Sequence, residues 1–237
     1  MRWHILDWTN KSMRKITAGI FIFLISITLC SCDVSILPGF LPRVKGNIKE
    51  DNLKLGIYHL KKGKIDKAIR KFTMSTNAYP DYAPGYFYLA VAYEQKRRPI
   101  QDQIKLYEKA IELDPKMYGA YNNAGQLYFE QNNFGKAEAY YKKVLSIKSD
   151  YLITYVNLGS LYLENKQYSD AENILKKALE IDSNNPFIFY SLGLAYEKMN
   201  RIEDAIFYLQ KAISLSQEPE LINNAKSIIT RLKNKQK

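Results

Sequence analysis

Apolar residues recur with a helical period along most of the chain between residues 49 and 219. Within these segments a small residue returns at gaps of 34, 35, 34 and 34 residues, at Gly56, Ala90, Gly125, Gly159 and Gly193. A second series has gaps of 35, 34, 34 and 34 residues, at Ala68, Gln103, Ala137, Ala171 and Ala205. Two series with one period indicate a stacked array of similar helix pairs. The sequence therefore predicts five helix-turn-helix repeats, at residues 49–82, 83–117, 118–151, 152–185 and 186–218.

There is a physical reason for a small residue at these positions. Helix A of each pair needs a residue without bulk where helix B crosses it, because a small side chain lets two backbones approach closely. The single gap of 35 places one extra residue between Tyr93 and Gln103, where the turn between the helices is expected. The chain also has 19 tyrosines. We expect their rings to fill the space between repeats while their hydroxyls reach polar edges.

The residues at fixed positions of the repeats form a recognisable pattern. The fourth and fifth repeats carry it most fully, with Tyr155, Leu158, Gly159, Tyr162, Ala171, Leu175 and Ala178, and then Phe189, Leu192, Gly193, Tyr196, Ala205, Leu209 and Ala212. This pattern resembles the tetratricopeptide repeat family, although the first repeat departs from it at Asn52 and His59. The resemblance implies an all-α fold, a right-handed α-α superhelix, that acts as a scaffold for protein partners.

A final amphipathic segment follows the fifth repeat. Pro219 opens it, and its apolar residues share one helical face: Leu221, Ile222, Ala225, Ile228, Ile229 and Leu232. Because the terminal units of a solenoid need a polar exterior, residues 219–237 are predicted to form a capping helix. A helix that binds a partner is the alternative.

The first 31 residues have the pattern of an export signal. Arg2, Lys11, Arg14 and Lys15 precede an uncharged stretch from Ile16 to Leu29. As a helix this stretch would measure about 21 Å, which is short of the roughly 30 Å hydrocarbon core of a bilayer. A cleaved signal peptide is therefore favoured over a permanent membrane anchor, which remains the alternative.

The sequence Leu29-Cys30-Ser31-Cys32 comes directly after that stretch and resembles the bacterial lipoprotein box. The resemblance implies cleavage after Ser31 and lipid attachment at Cys32. Residues 32–48 contain two prolines and two glycines without a helical period, and they are predicted to be a spacer. We therefore expect a lipid-anchored protein on the non-cytoplasmic side of a bacterial cell envelope, without a choice between inner and outer membrane.

The formal net charge of +11 is compatible with nucleic acid, anionic lipid or acidic partners. The predicted export argues against nucleic acid. The first repeat is the most basic, with net +4 from Lys49, Lys54, Lys61, Lys62, Lys64, Lys67, Arg70 and Lys71 against Glu50, Asp51, Asp66 and Asp81. These residues indicate either contact with anionic headgroups or solvated helix faces, and both readings stay open.

The residues that catalysis requires are scarce. The two histidines are His4 in the leader and His59 in the first repeat, and there is no glycine-rich phosphate loop, nucleophile motif or His/Cys cluster with metal-ligand spacing. We predict no enzyme activity, no cofactor and no metal. The acids Glu94, Glu130, Glu164 and Glu197 near the ends of successive A helices are expected about 10 Å apart, too far to share a proton. They form either a solvated ridge or a strip that attracts basic partners.

The resemblance also implies a binding site, because helix A lines the concave groove in this family. The predicted partner-binding residues are Tyr88, Asn122, Asn123, Gln126, Asn157, Ser160, Tyr190 and Ser191. Asn side chains both donate to and accept from an extended peptide backbone, so a protein or peptide partner is expected, with solvent-facing polar filler as the alternative. The basic residues that clamp C-terminal carboxylates in some relatives are missing at these positions.

Relatives with this layout serve pilus biogenesis, insertion of outer-membrane proteins or transporter assembly, and the sequence does not choose among these roles. A stabilising accessory subunit of an envelope transporter or enzyme is the alternative function.

Overall fold

The computed structural model of the chain describes residues 48–235. The predicted signal peptide, Cys32 and the spacer up to residue 47 lie outside the described residues, and so do Gln236 and Lys237.

Residues 48–235 form eleven α-helices and no strand, which confirms the predicted all-α class. The helices are α1 (Ile48–Lys61), α2 (Ile65–Ala78), α3 (Ala83–Gln95), α4 (Ile100–Leu113), α5 (Tyr118–Glu130), α6 (Phe134–Ile147), α7 (Leu152–Glu164), α8 (Tyr168–Ile181), α9 (Pro186–Lys198), α10 (Ile202–Leu215) and α11 (Pro219–Lys235).

The helices are arranged as consecutive pairs. Odd-numbered helices from α1 to α9 are the A helices, and each is followed by its B helix. Every helix packs against its neighbours in sequence, and A helices of successive repeats also contact one another at α1–α3, α5–α7 and α7–α9. This repeated contact is what a solenoid of helix pairs requires, because each repeat buries apolar surface only against its neighbours.

The recurring glycine of helix A lies where helix B crosses it, as predicted. A Cβ atom added at Gly159 would lie 2.5 Å from Cδ2 of Leu175, and one added at Gly193 would lie 2.6 Å from Cγ of Leu209. Both distances are shorter than any ordinary carbon contact. The glycines of this series therefore set the distance between the two helices of a pair.

The turns between helix A and helix B share one backbone conformation. In repeats two to five a residue other than glycine occupies the left-handed region, with φ of 55°, 57°, 61° and 58° at Arg97, Asn132, Lys166 and Asn200. The turn of the second repeat spans residues 96–99, whereas the next one spans residues 131–133. The extra residue detected in the sequence therefore lies in a turn, as predicted.

Tyrosine hydroxyls tie the A helices of repeats three, four and five to the repeat before. Tyr162 donates a hydrogen bond of 2.8 Å to Glu138, and Tyr196 donates one of 2.8 Å to Glu172. Burial, followed by the hydrogen bond to the carboxylate, raises the pKa of both phenols. The rings are buried while the hydroxyls reach charged side chains at the edge, so these tyrosines act as the sequence predicts.

Helix α11 packs on the fifth repeat. Its buried side chains are Leu221, Ala225, Ile229 and Leu232. Arg231 of α11 donates a 2.6 Å hydrogen bond to Glu197 of α9. None of the described helices is long and apolar enough to cross a membrane.

Candidate peptide-binding groove

The centre of the candidate site is a hydrogen-bonded path through repeats two and three. Tyr107 of α4 is fully buried, and its hydroxyl lies between side chains of two A helices. The hydroxyl donates to Oε2 of Glu94 on α3 at 3.4 Å and accepts from Nδ2 of Asn123 on α5 at 3.0 Å. A helix B residue thus positions two polar groups on neighbouring A helices.

Asn122 continues this path into the fourth repeat. It is 7% exposed, and its amide nitrogen donates to Oδ1 of Asn123 at 3.3 Å. Its amide oxygen accepts from the buried hydroxyl of Thr154 at 2.8 Å and from Nδ2 of Asn157 at 3.3 Å. Asn122 therefore links the A helices α5 and α7, because a buried amide must find internal partners.

A second, shorter path lies one helical turn further along α5. The buried Tyr141 donates to Oε1 of Gln126 at 3.1 Å, and Gln126 donates to Oε1 of Glu130 at 3.3 Å. The tyrosine of helix B again orients a polar side chain of helix A. Gln126 remains half-buried, so its amide is both held in place and accessible.

The other four predicted groove residues lie at different depths. Tyr88 is half-buried and stacks on Phe72 with ring centroids 5.7 Å apart. Ser160 is half-buried and donates to the backbone oxygen of Val156 at 3.1 Å. Tyr190 and Ser191 are buried, at 6% and 8% exposure. Asn123, Gln126, Asn157, Tyr88 and Ser160 thus keep accessible surface, and the binding role of all eight residues stays a prediction.

The four acids near the ends of the A helices do not form one row. Glu94 and Glu197 lie four residues after the small residue of their helix, whereas Glu130 and Glu164 lie five residues after it. One residue is about 100° around a helix, so the two pairs point in different directions. Glu130 and Glu164 are exposed, but Glu94 and Glu197 are not. The expectation of a uniform solvated ridge is therefore wrong for Glu94 and Glu197.

Glu94 lies in an unusual electrostatic environment. Burial and, next, the charge of Glu130 raise its pKa to about 7, against which the hydrogen bond from Tyr107 acts. Its Oε1 atom is shielded from solvent and has no hydrogen-bond partner. Desolvation also raises the pKa of Glu130. The two carboxylates are thus each linked to an amide of α5, Glu94 to Asn123 through the Tyr107 hydroxyl and Glu130 directly to Gln126.

Glu197 occupies the equivalent position in the fifth repeat and has a different environment. Its side chain is 11% exposed, and Arg231 lies 2.6 Å away. The positive charge of the Arg231 guanidinium therefore offsets the cost of burying most of the Glu197 carboxylate. Among the described ion pairs, Glu94 has no such partner.

Sequence reasoning missed Tyr107 and Thr154 as parts of this arrangement, and it placed Glu94 only in a row of four acids. A signal existed for Tyr107: repeats two and three have tyrosine at a helix B position where the others have Phe72, Leu175 and Leu209. Nothing in the sequence distinguished Thr154 from other polar residues of α7. The described residues hold no cluster of three or more His, Cys, Asp or Glu side chains suited to a metal ion.

Comparisons with known proteins agree with this architecture. Residues 120–184 and 150–218 match the tetratricopeptide repeat family. No curated protein matches the chain.

Among solved structures, a crystal structure of MamA protein is similar, with 24% identity, a TM-score of 0.65 and coverage of 71% of this chain and 92% of that one. PilF of Pseudomonas aeruginosa has 18% identity and a TM-score of 0.65, over 78% of this chain and 88% of its own.

YrrB, described as a TPR protein with an unusual peptide-binding site, has 16% identity and a TM-score of 0.64, over 74% of this chain and 90% of its own. At these identities the similarity concerns the fold. Together with the family match over residues 120–218, it shows that the chain has the all-α superhelical fold of tetratricopeptide repeat proteins.

Proposed function

We propose that this protein is a non-enzymatic scaffold that binds an extended segment of a partner protein along its A helices. The half-buried amides of Asn123, Gln126 and Asn157 carry this proposal. They lie on adjacent A helices, and buried tyrosine and threonine hydroxyls hold their neighbourhood in place. Amides held in this way bind a peptide backbone at a low cost in side-chain entropy.

Apolar surface flanks these amides. Phe129 of α5 and Leu163 of α7 are partly buried and pack against the continuous core, which leaves part of each side chain open to a ligand. Alternate side chains of an extended segment then contact apolar surface while its backbone meets the amides. The peptide-binding site named for the structurally similar YrrB supports a role of this class.

A photocrosslinking experiment tests this function. p-Benzoylphenylalanine placed at Gln126 should form adducts with a partner in envelope preparations. The same group at Ala139, which is exposed on the B helix α6, provides the matched control. The proposal predicts adducts from position 126 that weaken in the Asn123→Ala/Asn157→Ala variant. Equal adducts from position 139, or undiminished adducts in the double variant, would place the binding surface elsewhere.

We propose further that the scaffold is lipid-anchored at Cys32 on the non-cytoplasmic side of a bacterial cell envelope. The uncharged stretch Ile16 to Leu29 and the following Cys30-Ser31-Cys32 support this proposal. Metabolic labelling with an alkyne fatty acid tests it. Cys32→Ser should abolish labelling, whereas Cys30→Ser should leave it unchanged. Label retained by Cys32→Ser would refute the anchor.

The first repeat, which follows the proposed anchor in sequence, is proposed to contact anionic headgroups. Lys54, Lys61, Lys64 and Lys67 are exposed, and each basic residue close to such a surface contributes about 1 kcal/mol. Desolvation, and after it the charges of nearby basic residues with Lys67 first among them, lowers the pKa of His59 in this repeat.

Vesicle flotation of the chain from residue 33 onward, which lacks the apolar leader and Cys32, tests the contact with headgroups. Vesicles with anionic lipid should retain the protein in a salt-sensitive manner, whereas neutral vesicles should not. Equal weak retention on both would assign the lysines to solvated helix faces.

A further inference from the structure

We propose that the groove contains a specificity site for one basic residue, where the carboxylates of Glu94 and Glu130 bind the ammonium or guanidinium group of a lysine or arginine. This inference rests on the proposed function, because the basic side chain would belong to the extended segment bound along the A helices. It adds a chemical requirement on the partner that the groove alone does not impose.

Both carboxylates adjoin the amides that define the groove. Glu94 and Asn123 share the hydroxyl of Tyr107, at 3.4 Å and 3.0 Å. Glu130 accepts a hydrogen bond of 3.3 Å from Gln126. A segment whose backbone contacts Asn123 and Gln126 therefore carries its side chains past both acids.

The charge of this pair is not compensated within the described residues. No ion pair there involves Glu94 or Glu130. Oε1 of Glu94 is shielded from solvent and lacks any hydrogen-bond partner, which is costly for a carboxylate oxygen. Repulsion by Glu130 adds to this cost, as the raised pKa of Glu94 shows. A cation bound beside the two carboxylates offsets this repulsion.

The fifth repeat shows a carboxylate at the position of Glu94 paired with a cation. Glu197 has the same position in its helix as Glu94, four residues after the small residue. Arg231 comes from α11, the helix that follows the fifth repeat, and its Nη2 lies 2.6 Å from Oε1 of Glu197. At the second repeat the following A helix, α5, offers the amide and apolar residues of the groove instead. We therefore infer that the carboxylate of Glu94 forms its ion pair with a basic residue of the partner.

The surrounding charge limits what the site accepts. The chain has a formal net charge of +11, so a segment rich in lysine and arginine would meet net electrostatic repulsion. The short-range attraction of two carboxylates acts on one side chain only. The site therefore fits a single basic residue within an otherwise neutral or acidic segment.

A comparison of two small probes tests this site. N-Acetylargininamide carries the cation, and N-acetylcitrullinamide has nearly the same shape without the charge. Full-length protein with ¹³C-labelled glutamate is titrated with each probe at pH 8 while the carboxyl resonances are followed by NMR. The arginine probe should shift the resonances of Glu94 and Glu130, and the citrulline probe should not.

Three variants test which carboxylates bind the arginine probe. Glu94→Gln and Glu130→Gln should each weaken binding of the arginine probe by about fivefold or more, because each removes one charge-assisted contact. Glu164→Gln, in an exposed residue at the same helical position as Glu130, should bind it like the unmodified protein. Equal responses to the two probes, or unchanged binding by both groove variants, would overturn the site.

The crosslinking experiment separates this inference from the proposed function. If adducts from position 126 persist while the arginine probe fails to bind, the groove function stands and the cation site falls. If the arginine probe binds as described while no adducts form from position 126, the two carboxylates bind a cation, but the groove function falls and with it the role of this pair as a specificity site.

Discussion

The hydroxyl of Tyr107 donates a hydrogen bond of 3.4 Å to Oε2 of Glu94. The same hydroxyl accepts from Asn123 at 3.0 Å. The tyrosine itself is fully buried, and burial with the adjacent charge of Glu94 raises its pKa well above the ordinary value. It therefore stays protonated and serves as a fixed connector between two A helices.

Tyr107→Phe should destabilise the protein by about 1–3 kcal/mol, because the largely desolvated carboxylate of Glu94 loses its hydrogen-bond donor. The change should also raise the pKa of Glu94 above about 7, since the hydrogen bond from Tyr107 now lowers it. Urea denaturation measures the first effect, and NMR titration of the Glu94 carboxyl group measures the second.

Tyr141→Phe is the matched control for this prediction. Tyr141 is equally buried, but its hydroxyl bonds to the half-buried Gln126, which water can reach. We expect a smaller cost of about 0.5–1.5 kcal/mol and no change in the titration of Glu94. Equal costs for the two variants would show that the Tyr107 hydroxyl has no special role.

Glu94 makes the stability of the protein depend on pH. Its pKa is raised from 4.5 to about 7 in the folded state, so the folded chain binds more protons than the unfolded chain between these values. Stability therefore falls as pH rises from about 4.5 through 7. Glu94→Gln removes this loss and should stabilise the protein at pH 8 by up to about 3 kcal/mol, with little effect at pH 5.

Unfolding free energies of Glu94→Gln and unmodified protein at pH 5 and pH 8 check this prediction. Glu164→Gln is the control, because that acid is exposed and lies at the end of the equivalent helix of the fourth repeat. A difference between Glu94→Gln and unmodified protein that is the same at both pH values would contradict the assignment.

The period of the small residues was sufficient to predict the fold. Gly125 and Gly159 lie 34 residues apart, and the structure places each against helix B of its own repeat. Periodicity works here because a repeat contacts only its neighbours, so local pattern and global architecture coincide. No long-range pairing had to be inferred.

The site was less predictable because it depends on side-chain direction. Asn122 and Asn123 are adjacent in sequence, yet one is buried in a link to Thr154 and the other is half-buried beside Tyr107. Similarly, a shift of one residue separates the position of Glu94 from that of Glu130. The sequence predicts which helix carries a polar residue, but only coordinates show which neighbour it meets.

Gly159→Ala should destabilise the protein, although alanine favours helix by about 0.5–1 kcal/mol over glycine. The new Cβ would lie 2.5 Å from Leu175 in the interface between α7 and α8. Overpacking of this kind costs about 1–3 kcal/mol, which exceeds the helical gain.

Gly135→Ala is the control for this prediction, because a Cβ atom there meets nothing within 4 Å. It should stabilise the protein by about 0.4–1 kcal/mol. Thermal unfolding of both variants measures the contrast. If Gly159→Ala melted above the unmodified protein, close approach of the two helices would not be the reason for glycine at this position.

Removal of residues 219–237 tests whether α11 is a cap. The deletion exposes the surface of the fifth repeat that Leu221, Ile229 and Leu232 cover, and each fully buried side chain of this size contributes about 1.5–3 kcal/mol. It also removes Arg231 and leaves Glu197 without its ion pair. The shortened chain should melt at lower temperature and associate in sedimentation experiments, because its last repeat presents apolar surface. A chain ending at Lys233 keeps all these contacts and should behave like the full chain, whereas a monomer lacking residues 219–237 that melts unchanged would assign α11 to partner binding instead.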